Sequence, residues 1–175
     1  MRKMRKMRRL LCVALACMVC LLQPMQVKAA EADTLTFIVN GTPTLEMTDE
    51  GVYGGLYDLE GNSYQREIGL IKCTIRMSYG TNPDCLYMEF VTGSNATATE
   101  IGIKDVKVQE KVGIFWNTIA SGDGACVKDN TTFVANSTCS SVVQGGTYRV
   151  CCTHYAYING VYHSVENNTD GHKFV

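Results

Sequence analysis

Apolar and polar residues alternate along much of this chain, and the alternation constrains the fold more than any other feature. Across residues 71–77 the odd positions are Ile, Cys, Ile and Met, whereas the even positions are Lys, Thr and Arg. A period of two places one set of side chains on each face of a β-strand. No stretch shows a sustained 3.6-residue period with helix caps. The sequence therefore predicts an all-β fold whose strands have one buried and one solvated face.

The clearest local signal is the dipeptide Asn159-Gly160, which separates two alternating runs at residues 147–158 and 161–165. Asn-Gly is the preferred two-residue hairpin turn, because both central residues need a positive φ. A turn of this length predicts a β-hairpin in which Ile158 pairs with Val161.

Three irregularities interrupt the alternation before this hairpin. Residues 94–99 are polar and predict a loop. The period of two slips by one residue at Lys104-Asp105, which predicts a β-bulge there. Residues 110–113 predict a turn, after which the single tryptophan, Trp116, is expected to be a core aromatic and not a ligand platform.

The spacing of these runs predicts the architecture. About eight short strands at intervals of about 8–12 residues are typical of two antiparallel sheets packed as an immunoglobulin-like sandwich. A small β-barrel is the alternative. We expect three regions: a secretory signal at 1–29, an irregular lead-in with one or two strands at 30–66, and the β-sandwich domain at 67–175.

The N-terminus has the order of a secretory signal. Six Lys or Arg residues precede residue 10, and residues 10–22 are an uninterrupted apolar run. This run is well short of the roughly 20 residues that a helix needs to span a bilayer. We expect cleavage after Ala29, with Ala32 as the alternative, and a secreted, extracellular chain with no membrane span.

Loss of this signal changes the charge of the chain. It removes seven of the 16 cations and none of the 17 carboxylates, which leaves a net charge of −8. Nucleic-acid binding depends on clustered Lys and Arg that neutralise phosphates. Nucleic acid is therefore not an expected partner.

Six of the nine cysteines follow the signal, and an even number in an exported domain predicts disulfides. The candidates are Cys73, Cys85, Cys126, Cys139, Cys151 and Cys152. Cys126 and Cys139 bracket a short polar segment and are the least demanding pair. Cys151 and Cys152 would point to opposite faces of a strand. Free thiols that act as small buried hydrophobic groups are the alternative.

Two resemblances add to this interpretation. The segment 145–150, Gly-Gly-Thr-Tyr-Arg-Val, resembles the strand entry of fibronectin type III and immunoglobulin-like domains, which implies that Tyr148 forms a corner bond to the backbone. From about Ile68 to Val175 the chain resembles small secreted domains of unknown function from Gram-positive gut bacteria. Three blocks carry this likeness: Ile101-Gly102-Ile103 through Val108-Gln109-Glu110, Phe115-Trp116-Asn117-Thr118, and Tyr148-Arg149-Val150 through His154-Tyr155-Ala156. The second resemblance implies a sandwich and export, with no established activity and no catalytic residues.

The predicted hairpin places two sets of candidate residues. His154 and His163 become diagonal neighbours on one face, but no third ligand accompanies them, so we interpret them as structural and expect no metal and no cofactor. Tyr155, Tyr157 and Tyr162 share the opposite face, where tyrosines stack on sugar rings or anchor protein partners. Ordinary cross-strand pairing that stabilises the hairpin is the alternative role of these tyrosines.

Catalytic motifs are missing from the sequence. It contains no Gly-x-Ser-x-Gly, no His-Glu-x-x-His and no phosphate-binding Gly-rich loop with Lys. A Cys152–His154 nucleophile pair would join alternate residues of one strand, which is poor geometry for a hydrogen bond. We therefore expect a secreted, non-enzymatic binding module for an extracellular protein or glycan. A small antimicrobial or inhibitor-type effector is the second hypothesis, and a hydrolase is the third.

Overall fold

The computed structural model describes residues 32–39, 52–54, 68–81 and 84–174. These residues form nine strands and no helix, which confirms the all-β prediction. In chain order the strands are β1 (Asp33–Thr34), β2 (Ile38–Val39), β3 (Val52–Gly54), β4 (Leu70–Thr81), β5 (Asp84–Val112), β6 (Phe115–Cys139), β7 (Thr147–Ile158), β8 (Val161–Asn168) and β9 (His172–Lys173). No helix capable of crossing a membrane occurs in this part of the chain. The predicted signal and most of the lead-in lie outside the described residues.

Strands β5 and β6 form one long antiparallel ribbon. They contain 29 and 25 residues, far more than the short strands expected from the sequence. Their pairing begins with Leu86 opposite Cys139 and ends with Val112 opposite Phe115. Strands β4 and β7 pair one after the other with the second edge of β5, and β8 follows β7. The ribbon is thus the element that joins the two halves of the structure.

All nine described strands are hydrogen-bonded into one sheet. The prediction of two separate antiparallel sheets is wrong in this respect, because β5 and β6 continue through both halves. The sheet is also mixed, since β1 pairs with β6 in parallel whereas the other described pairs are antiparallel. Strand β2 also pairs with β6 and β3 pairs with β4, so described parts of the lead-in belong to the main sheet.

The sheet folds back on itself within β5. Between Gly93 and Ala98 the strand leaves register with β6, and the Thr92 hydroxyl donates to the Gly102 carbonyl of the same strand at 3.1 Å. The prediction of a loop at 94–99 is wrong, because β5 continues through it, although the break in pairing falls on these polar residues. Strand β5 therefore turns back between Thr92 and Gly102.

Strand β4 also contacts β8 and the residue that follows β8. The Asn167 side chain on β8 donates to the Cys73 carbonyl on β4 at 3.1 Å, and the Thr169 hydroxyl lies 3.5 Å from the Met77 sulfur. Cys73 and Met77 are buried as the alternation of β4 predicts, but Thr74, which was expected on the solvated face, is buried as well. The largest fully buried side chains include Tyr148, Phe90, Phe133, Ile75, Met77, Leu86, Ile101 and Ile103.

The hairpin and the bulge predicted from the sequence are both present. Asn159 and Gly160 have φ values of 52° and 78°, and Ile158 pairs with Val161. The register of β5 against β7 shifts between Lys104 and Lys107. Asp105, inside this bulge, has a φ of 55°, a left-handed conformation that Asp adopts more readily than most residues.

Two predictions about aromatic residues have different outcomes. The Tyr148 hydroxyl accepts a hydrogen bond from the Val143 amide at 2.9 Å, so the corner bond to the backbone is confirmed. Trp116, in contrast, is half-buried and lies outside the core. It pairs with Lys111 near the end of the ribbon, where its ring lies beside Gly171 and Arg149.

Candidate functional site

Strand β7 has two chemically distinct faces. Its even-numbered residues from 148 to 158 are buried, whereas its odd-numbered residues are half-buried or exposed. We call the side of the odd-numbered residues the outer face. Glu100, Gly102 and Lys104 of β5 pair with odd-numbered residues of β7, so the outer face extends across β5.

The tyrosine surface consists of Tyr155, Tyr157 and Tyr162 on the outer face. Tyr157 and Tyr162 are a direct cross-strand pair, and their ring centroids are 4.9 Å apart. The ring centroid of Tyr155 lies 6.3 Å from that of Tyr157 and 6.1 Å from that of Tyr162. Tyr157 and Tyr162 are 41% and 40% exposed, which is high for paired aromatic side chains. The structure thus brings the three candidate ligand-binding residues into one accessible patch.

Charged side chains contact the tyrosine surface on both sides. The Tyr155 hydroxyl donates to the Glu100 carboxylate at 2.8 Å, and the Lys104 ammonium lies 5.3 Å from the centroid of the Tyr162 ring. Burial and the hydrogen bond to Glu100 raise the pKa of Tyr155. A hydrogen bond with Tyr162 raises the pKa of Lys104. The patch therefore combines apolar ring faces with a cation and with a hydroxyl that its bond to Glu100 holds in place.

A polar groove of about 420 Å³ opens on the outer face beside the tyrosine surface. It is lined by residues around the β5 bulge and in β7 and β8: Asp105, Lys107, Arg149, Cys151, Cys152, Thr153, Glu166, Asn167 and Asn168. Thr153 precedes Tyr155 by two residues on the same face, and it pairs with Lys104, which contacts Tyr162. The groove and the tyrosine surface are therefore neighbours that one ligand can contact together.

At the far end of the outer face, a second aromatic side chain is covered by a cation. The Arg149 guanidinium lies 4.4 Å from the Trp116 ring centroid and donates to the Gln109 amide oxygen at 2.8 Å. Stacking of this kind fixes a guanidinium in place. Arg149 thus presents a fixed cation at the edge of the groove.

On the inner face, His154 sits in a closed hydrogen-bond network. Its Nδ1 lies 2.7 Å from the Thr92 hydroxyl oxygen, and that hydroxyl already donates to the Gly102 carbonyl. Nδ1 is therefore the donor, which leaves Nε2 as the acceptor for the Asn167 amide at 3.4 Å. Protonation of Nε2 would place a second ring N–H against the Asn167 amide donor. The network therefore fits the neutral form of the imidazole. Burial lowers the pKa of His154 to about 4.

The thiol of Cys152, two residues before His154, has a pKa too high for nucleophilic catalysis. Burial raises the pKa of Cys152 and raises that of nearby Cys73 to about 12. A reactive Cys–His pair needs a lowered thiol pKa and an exposed sulfur. Cys152 and His154 are both buried, so their geometry is that of a packed core and not of a nucleophile.

All six cysteines of the described residues are free thiols. The predicted Cys126–Cys139 disulfide is absent, because Cys126 is exposed opposite Gly102 whereas Cys139 is buried opposite Leu86. Cys73, Cys85, Cys139 and Cys152 are buried, in keeping with the alternative role of small hydrophobic groups.

The histidines and acidic residues form no visible metal centre. Within the described ranges, no three His, Cys, Asp or Glu side chains are close enough to hold a metal ion. Ala156 pairs with His163 and Val165 pairs with His154, which is the register expected from the hairpin. His154 points into the core and has its ring nitrogens in the network described above, whereas His163 is half-buried.

No protein-family model, curated protein or solved structure matches this chain. The resemblance to secreted domains of Gram-positive gut bacteria therefore stays a prediction. Function is inferred from the geometry of the outer face.

Sequence reasoning missed the polar groove and the Arg149–Trp116 stack. The groove depends on pairing between β5 and β7, which are distant in sequence. The bulge at Asp105 was the available signal, since bulges occur near functional sites and change the direction of side chains.

Proposed function

We propose that this chain is a secreted, non-enzymatic binding domain whose outer face recognises an extracellular glycan or protein. The observation that carries the proposal is the contiguity of Tyr155, Tyr157 and Tyr162, with two of the three rings about two-fifths exposed. Exposed tyrosines offer a large rigid contact area at low cost in conformational entropy. Ordinary hairpin packing requires contact between the rings, but it does not require a groove beside them.

The adjoining groove favours a glycan over a flat protein surface. Lys107, Arg149, Glu166 and Asn168 supply both donors and acceptors there, which is the chemistry that sugar hydroxyls require. Ring faces beside such a groove suit a ligand that has apolar faces and polar edges, as sugar rings do. The immunoglobulin-like sandwich is likewise a proposal. It is supported by the contact of β8 with β4 and by the Tyr148 corner bond.

Binding of the exported protein to a glycan array, which holds no lipid, tests the proposal. We compare the wild type with the triple variant Tyr155→Ala/Tyr157→Ala/Tyr162→Ala. Phe115→Ala is the matched control, because Phe115 is an aromatic residue that is 68% exposed and outside the tyrosine surface.

We expect the triple variant to lose retention and the control to keep it. Glu166→Gln, inside the groove, is expected to weaken binding several-fold if the ligand is a glycan. Equal retention of the wild type and the triple variant would remove the tyrosine surface as the site. Binding by none of the proteins, together with inhibited growth of neighbouring bacteria, would favour the effector hypothesis.

A further inference from the structure

The β5–β6 ribbon ends in an apolar tip that no described residue covers. Val112, Ile114 and Phe115 form this tip and are 51%, 83% and 68% exposed. Val112 pairs with Phe115 across the turn, and Gly113 has a φ of 63°. Gly113 and Ile114 are the two central residues of this turn, and an exposed Ile at such a position is unusual, because two-residue hairpin turns favour Asn, Asp and Gly.

The chemical character of the side chains changes with distance from the tip. The next cross-strand pair is Lys111 with Trp116, and the Lys111 ammonium lies 6.0 Å from the Trp116 ring centroid. Arg149 covers the same ring at 4.4 Å. The order from the end of the ribbon is therefore apolar, then amphipathic aromatic, then cationic.

This order matches the layers of a lipid bilayer. Apolar side chains are stable in the hydrocarbon, tryptophan favours the interface, and long cationic side chains reach the headgroups. We propose that the apolar tip inserts into a lipid bilayer and that Lys111 and Arg149 contact anionic headgroups. The chain after signal removal carries a net charge of −8, so the cations at this end are a local exception.

Two features favour lipid over a protein partner. A stable protein interface takes roughly 20–30 residues from each partner, whereas the tip supplies three side chains on a convex turn. Glu110, the carboxylate next to Lys111 in the chain, lies 3.5 Å from the Tyr148 hydroxyl. A small apolar tip with cations behind it fits the interfacial layer of a bilayer.

Co-sedimentation of the exported protein with vesicles tests this proposal. The vesicles are phosphatidylcholine alone, or phosphatidylcholine mixed with phosphatidylglycerol. The tip variant is Ile114→Ser/Phe115→Ser. Val161→Ser is the matched control, because Val161 is 56% exposed and lies at the turn of the other long hairpin. Trp116 is the only tryptophan, so its quenching by brominated lipid reports whether the tip enters the bilayer.

We expect the wild type and Val161→Ser to sediment with both kinds of vesicle, and more strongly with the anionic kind. The tip variant is expected to bind about a hundredfold less, because it lacks two large apolar side chains that would enter the bilayer. Lys111→Gln is expected to reduce the preference for anionic vesicles.

Absence of wild-type binding to either vesicle, or equal binding by the tip variant, would overturn the proposal. So would a concentration-dependent dimer that Ile114→Ser/Phe115→Ser abolishes, because the tip would then contact another copy of the chain. Phe115→Ala leaves the tyrosine surface intact, so failure of membrane binding and failure of glycan binding are separable results.

Discussion

The two faces of strand β7 differ in almost every physical respect, although they are alternate residues of one twelve-residue segment. On the inner face, His154 and Cys152 are buried and the ring nitrogens of His154 have hydrogen-bond partners. On the outer face, Tyr155 and Tyr157 leave ring surface open beside a polar groove. The difference indicates that inner-face residues determine stability, whereas outer-face residues are available for recognition.

The largest expected effect is the loss of His154 from the inner face. His154→Ala would leave a cavity and remove hydrogen-bond partners from Thr92 and Asn167. Such changes cost about 3–5 kcal/mol of unfolding free energy. Urea unfolding measures this loss, with Tyr157→Ala as the outer-face control, which we expect to cost less than about 1 kcal/mol. Similar losses in the two variants would contradict the division between the faces.

The inner face should also make stability depend on pH. Burial lowers the pKa of His154 from 6.5 to about 4, so the unfolded chain binds this proton at a higher pH than the folded chain does. The contribution of neutral His154 is complete above pH 6.5 and is lost as the pH falls towards 4. The shift corresponds to about 3 kcal/mol.

Comparing the wild type with His154→Ala separates the effect of His154 protonation on stability from the effect of carboxylate protonation. Unfolding free energies of both proteins at pH 7 and at pH 4 give the necessary cycle. We expect the difference between the two proteins to shrink at the lower pH. A difference that is the same at both pH values would show that His154 is not held neutral.

Neighbouring cysteines provide a chemical comparison of the faces. Cys151 is half-buried in the groove and Cys152 is buried in the core. Burial raises the pKa of both thiols, but Arg149 and Lys107 oppose the effect at Cys151. Alkylation of the native protein, followed by mass spectrometry, should label Cys151 about a hundredfold faster, because Cys152 reacts only after local opening. Equal labelling rates would contradict the assigned burial.

Sequence reasoning succeeded where the structure is determined locally. Asn159-Gly160 fixed the register of the hairpin, and that register brought the tyrosines together. The bulge at Lys104-Asp105 was visible as a slip in the period of two.

Long-range pairing could not be read in the same way. The polar segment 127–138 has the composition of a loop, yet most of its residues pair with β5 as strand. Trp116 was expected in the core because tryptophan is large and apolar, but its place near the end of the ribbon leaves it half-covered by Arg149. Such outcomes depend on which distant strand is the neighbour, and the alternation within one strand does not encode that.

Tyr148 offers a smaller test at the inner face. Its hydroxyl accepts from the Val143 amide at 2.9 Å and lies 3.3 Å from the Val143 carbonyl. Tyr148→Phe keeps the ring and removes these bonds, so we expect a loss of about 1 kcal/mol in urea unfolding. No loss at all would show that the corner bond does not contribute to stability.

The central claim is that recognition depends on the outer face and not on the stability of the fold. The most direct test measures retention and unfolding free energy together for the wild type, Tyr155→Ala/Tyr157→Ala/Tyr162→Ala and Phe115→Ala, on whichever immobilised glycan the wild type binds. We expect the triple variant to lose retention while its unfolding transition stays cooperative and Phe115→Ala behaves as the wild type. Unchanged retention by a folded triple variant would contradict the claim.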